Sequence, residues 1–152
     1  MPLIKRTGLM ALLTALAVML LSCAHFKAQS PSGFAAYKSR CTFKAVSPDG
    51  VIYRVRSVKN KPKAEWSFWN EAVVTRMKNA GYTLVDTSSI TVQGRQTFVT
   101  ELAAPLGSED QSYLIAVIYG PKRLTVVEAA CEVSKFQKRK PEIIEAIKKI
   151  RL

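Results

Sequence analysis

Apolar and polar positions alternate with a period of two over residues 41–46 (Cys-Thr-Phe-Lys-Ala-Val), the pattern of a half-buried strand. Ser47-Pro48-Asp49-Gly50 then reads as a turn, because Pro fixes φ and Gly accepts a positive value. Residues 51–58 return, with Val51, Tyr53 and Val55 on one face and Arg54 and Arg56 on the other. The two segments predict a hairpin. A basic loop, Lys59 to Lys63 with Pro62 inside it, leads to a different period. Trp66, Trp69, Val73, Met77 and Ala80 are spaced 3, 4, 4 and 3 apart, one stripe of a helix over residues 64–80 that Gly81 ends. The two tryptophans read as core rather than as a ligand platform.

Beyond Gly81 the pattern predicts extended pieces around residues 83–85 and 90–92, a turn at Gln93-Gly94, and a returning strand over 95–102. A loop is expected over 103–111. Residues 112–119 (Ser-Tyr-Leu-Ile-Ala-Val-Ile-Tyr) are apolar almost throughout, which predicts a strand buried on both faces. Gly120-Pro121-Lys122 turns the chain into a last strand over 123–131. Ile143, Ile144, Ile147 and Ile150 mark the buried stripe of a final helix within 134–151, whose regular part Pro141 places from about residue 140. A two-faced strand with two amphipathic helices predicts an α+β domain, a three-layer α/β/α sandwich around a central, mostly antiparallel sheet. The runner-up puts both helices on one face.

The first residues follow another rule. Lys5 and Arg6 precede an apolar run from Leu9 to Leu21, thirteen residues, too short to span a bilayer as a helix and typical of a removable secretory segment. Leu20-Leu21-Ser22-Cys23 resembles the bacterial lipobox. The resemblance implies cleavage after residue 22 and acylation of Cys23. Residues 23–36 then form a lipidated N-terminus and flexible tether, and 37–152 a single folded domain. With Ala24 where an Asp would retain such a lipoprotein at the inner membrane, it also implies the outer membrane, facing the periplasm.

The formal charge of the chain is +12, and losing Lys5 and Arg6 leaves +10. That balance favours anionic partners. The compartment disfavours nucleic acid, and the lysines also read as simply solvated. Arg54, Arg56, Lys59, Lys61 and Lys63 concentrate five positive charges within ten residues. They are the first candidates for a partner-binding surface, or alternatively for a charged hairpin edge that discourages strand pairing between molecules. Cys41 and Cys131 are the two thiols left after lipidation, and in an oxidising compartment they are candidates for a disulfide.

Reactive chemistry has little to build on. His25 is the only histidine and falls in the tether. There is no GxSxG, HExxH or GxxxxGK[ST] pattern. Glu109 and Asp110, an adjacent acidic pair in the expected loop, do not amount to a calcium site of six or more oxygens. No metal and no cofactor is expected. Carboxylates meeting in space leave an envelope hydrolase as an alternative.

The order of elements resembles the fold shared by PsbP-like, Mog-type and DcrB-type proteins. The resemblance runs over about residues 41–151 through the Ser47–Gly50 hairpin, the Trp66–Ala80 helix, the Gly120-Pro121 hairpin and the closing helix. It implies a non-catalytic binding or assembly module held at the membrane by its lipid. The partner would be an envelope protein or an anionic envelope polymer or lipid headgroup.

Overall fold

The computed structural model describes residues 26–37, 41–106 and 109–152. The expected secretory segment, Cys23 and His25 lie outside the described residues. The elements are β1 (Ala35–Tyr37), β2 (Thr42–Val46), β3 (Ile52–Lys59), α1 (Trp66–Asn79), β4 (Thr83–Val92), β5 (Arg95–Leu106), β6 (Glu109–Ile118), β7 (Arg123–Glu132) and α2 (Val133–Lys148). The strands form one sheet in the order β1-β2-β3-β7-β6-β5-β4, antiparallel at every pairing.

The expected three layers follow from β6. Leu114, Ala116 and Ile118 enter one core with Phe136, Ile143, Ile147 and Ile150 of the α2 region. The residues between them, Ile115 and Val117, enter a second core with Trp66, Trp69, Val73 and Met77 of α1. One apolar run thus serves both faces, which is why it lacks alternation. The Trp66 stripe packs as core, and α1 ends in a Schellman arrangement. Gly81, at φ +89°, donates to the Lys78 carbonyl over 3.0 Å, and Tyr82 donates to that of Met77 over 3.1 Å.

Four local expectations are corrected. The segment from residue 26 is not a loose tether, because Phe26 and Phe34 are buried in the α2-side core and Lys27 exchanges two backbone hydrogen bonds with Arg151. The pieces around 83–85 and 90–92 are one strand, kinked by a register shift between Leu84 and Asp86. The loop over 103–111 is mostly strand: β5 runs to Leu106 and β6 begins at Glu109. Finally, α2 begins at Val133 and passes through Pro141. Pro141 removes one helical donor, but Phe136 before it and Ile143 after it are both fully buried, and that packing holds the axis together.

The disulfide is a further correction, since Cys41 and Cys131 are not joined. Thr42 pairs with Arg56, and Arg56 with Val126. Cys131 lies further along β7, which separates the thiols by roughly 20 Å at about 3.3 Å per residue. A disulfide tolerates no more than about 7 Å between Cα atoms.

Candidate functional site

Helix α1 covers only part of its face of the sheet. Its core partners lie on β5, β6 and β7, with Val58 near the end of β3, and among the described residues no helix covers the same face of β1, β2 and the first half of β3. Two cross-strand rows pave that open area. The first joins Ala35, Val46, Ile52, Ala130 and Tyr113 as successive register partners. The second joins Tyr37, Lys44, Arg54 and Glu128. Side chains two apart along a strand share a face, so an apolar row lies beside a charged one. Together they line a concavity of about 490 Å³. Tyr37 and Ile52 are 58% and 56% exposed at its rim.

Glu128 is the electrostatic centre. Its side chain is only 9% exposed. Its Oε2 accepts from Arg54 Nη2 at 2.6 Å and Nε at 2.7 Å, and from Arg56 Nε at 3.2 Å. Its Oε1 accepts from the Tyr113 hydroxyl at 2.8 Å. Burial pushes the Glu128 carboxyl up, but the hydrogen bonds from Tyr113, Arg56 and Arg54 outweigh it and hold the group below its usual range. Burial is also the larger reason, ahead of the bond to Glu128, that the Tyr113 phenol is raised. Tyr113 stacks at a tilt on Tyr82, with 5.7 Å between ring centroids. The arrangement holds two guanidinium groups in fixed positions while leaving them 42% and 39% exposed. It can present positive charge to an anion without a proton-transfer step.

The five predicted basic residues do not form one surface. Arg54 and Arg56 share the open face and a common carboxylate. Lys59 falls on the other parity of β3, and Lys61 and Lys63 are exposed in the segment leading to α1. Lys44, Glu128 and Tyr113 join the site instead, and sequence reading missed all three. The alternation of β2 signals that Lys44 faces outward, but no local pattern reveals which strand lies beside it.

A second polar centre holds the architecture. Asn60 is buried. Its Nδ2 donates to the carbonyls of Ala64 at 3.0 Å and Gly120 at 3.3 Å, and its Oδ1 accepts from Ala64 N and from Trp69 Nε1. It ties the approach to α1 to the β6–β7 turn. Gly120 is required there, because a Cβ would collide with the Arg123 carbonyl oxygen.

On the α2 face, buried Glu101 accepts from Gln137 and Lys140. Glu101 pairs with Leu114 of the α2-side core, whereas Glu128 pairs with Ile115 of the α1-side core. The two buried carboxylates therefore face opposite sides of the sheet and cannot flank one scissile bond. Glu109 and Asp110 open β6, across from Leu106 and Pro105.

No protein-family model matches the chain. No curated protein matches it in sequence. Solved structures do. LpqN of Mycobacterium tuberculosis, described as involved in cell envelope biogenesis, superposes with a TM-score of 0.68 at 10% identity, over 84% of this chain and 86% of that one. The PsbP protein of the cyanobacterium Synechocystis, CyanoP, gives 0.60 at 10% identity over the same shares. PA94 of Pseudomonas aeruginosa, a protein of unknown function described as a putative regulator, gives 0.56 at 11% identity over 78% and 96%. At such identities the likeness is one of fold, and the fold of this chain is the PsbP-like α/β/α sandwich.

Proposed function

We propose that this chain is a membrane-anchored, non-catalytic binding or assembly module of the bacterial cell envelope, processed and lipidated at Cys23. The carrying observation is the open, cationic face around Arg54, Arg56 and Glu128. It is a preorganised recognition surface in which the Glu128 carboxylate and the Tyr113 phenol are committed to hydrogen bonds rather than poised for proton transfer. The description of LpqN as a protein of cell envelope biogenesis, the lipobox-like Leu20-Leu21-Ser22-Cys23 and the positive charge support the compartment.

Two experiments test it. Cys23→Ser should release the protein from the membrane fraction and block processing; unchanged attachment would refute the anchor. The full chain is then used as bait on solubilised envelopes at low and high salt. The triple variant Arg54→Gln, Arg56→Gln, Glu128→Gln removes the charge centre without stranding a buried carboxylate. It should lose the salt-sensitive partner while its melting curve stays cooperative. A partner retained equally by the variant would sink the assignment of this face.

A further inference from the structure

We infer that the concavity over β1, β2, β3 and β7 binds one anionic amphiphile. Its phosphate or carboxylate head would lie on Lys44 and Arg54, and its apolar body along Ile52, Val46 and Tyr37. The inference deepens the proposed binding role and rests on the same face.

Three observations lead there. Lys44 and Arg54 are direct register partners, so two cations stand side by side on one face, an arrangement that is unfavourable unless neutralised. Arg54 has Glu128, whereas Lys44 makes no ion pair with any acid among the described residues. With Arg56 included, three cations share one carboxylate, and the face keeps a positive excess that an anion would complement. Next, the neighbouring row is apolar, and it exposes Ile52 to water beside that charge. A free anion would leave this row bare, and a neutral chain would leave Lys44 unpaired. A ligand with both parts satisfies both rows. Finally, the volume of about 490 Å³ suits one small molecule.

The position argues for a single captured molecule rather than a bilayer surface. The described chain begins near Lys27, which bonds Arg151, and Leu152 bonds the Gln93 side chain in the β4–β5 turn. The concavity lies at the other end of the strands, at Ile52 and Ala130, next to the Ser47–Gly50 turn. Seven residue steps along β3 separate Ile52 from Lys59, roughly 23 Å at about 3.3 Å per residue. Phe26, the first described residue, stands at that far pole beside the Lys27–Arg151 bridge, and the proposed anchor is three residues before it in sequence.

The test is calorimetric titration of the full chain in phosphatidylcholine nanodiscs, with empty nanodiscs as the blank. The probes are n-octyl phosphate, octanoate, inorganic phosphate and neutral octyl glucoside. Saturable binding of one equivalent of octyl phosphate or octanoate is expected, the tighter of the two naming the head group. Inorganic phosphate and octyl glucoside should bind at least about tenfold more weakly, a difference calorimetry resolves. Lys44→Gln and Ile52→Gln alter exposed side chains and should each weaken binding several-fold with the melting temperature unchanged. Equal binding of inorganic phosphate, equal binding of octyl glucoside, no saturable uptake, or indifference to both substitutions would each overturn the inference. If titration fails while the envelope bait keeps its salt-sensitive partner, that partner is an acidic protein and only the ligand class falls. If both fail, the proposed function falls too.

Discussion

Trp69 donates its indole N–H to the buried side-chain oxygen of Asn60 over 2.9 Å, so the helix that covers one half of the sheet is pinned by a residue of the segment before it. Asn60 also bonds Ala64 twice and reaches the Gly120 carbonyl. Asn60→Ala strands the Trp69 donor and two or more backbone groups at once. A loss of about 2–4 kcal/mol is expected in urea unfolding, since buried partners left unsatisfied cost more than an average hydrogen bond. Asn60→Asp should restore the two acceptor contacts but not the donors, and fall between.

Glu128 makes stability depend on acid. Its folded-state carboxyl sits below the usual 4.5, so its contribution is complete above that value and disappears as pH falls through the depressed one. Glu128→Gln should therefore cost about 1–2 kcal/mol at pH 7, the scale of hydrogen bonds to a charged group that is partly reached by water. The gap between variant and parent should close as the pH drops below the usual carboxylate range. Melting curves from pH 7 to pH 3 check this; a gap that is constant with pH would contradict it.

Phe34→Ala tests whether the segment before β1 belongs to the fold. Phe34 is buried in the α2-side core, beside a Gly33 whose position lies against Arg139. A loss of about 2–4 kcal/mol is expected, as for other large-to-small changes in a core. A flexible tether would give no change in the denaturation midpoint.

Peptide mapping of the native protein without reductant should yield no fragment in which Cys41 is cross-linked to Cys131. Cys131→Ala should shift the melting temperature only by the small amount expected for a partly buried side chain. Recovery of the cross-linked pair would require a different register for β2.

The layers were legible because they depend on local periods. The two-faced run of β6, the tryptophan stripe of α1 and the isoleucines of α2 each carry their burial in their own spacing. What escaped detection depends on partners distant in sequence. Phe26 and Phe34 lie among Ser, Pro and Gly, a composition that reads as a linker until α2 arrives to cover them. Pro141 looks like a helix start because a propensity knows nothing of the buried side chains on either side of it. The charged row is the clearest case. Arg54 and Glu128 are 74 residues apart, and alternation fixes which way each points but not that β7 lies beside β3. The basic cluster chosen by proximity in sequence was accordingly divided between faces, while Lys44 joined it from the neighbouring strand.

The bridge between Lys27 and Arg151 has a consequence for the timing of folding. Residues at the two extremes of the described chain exchange paired backbone hydrogen bonds, and Phe26 beside them is buried against the same core as Ile150. During synthesis Lys27 emerges 124 residues before its partner Arg151 (151 − 27). The central pairing of β3 with β7 spans 64 to 78 residues, from Lys59 with Arg123 to Ile52 with Ala130. Both contacts therefore close across long stretches of chain, and removing Arg151 would leave the Lys27 backbone groups without the partner that ties the segment before β1 to the end of the α2 region.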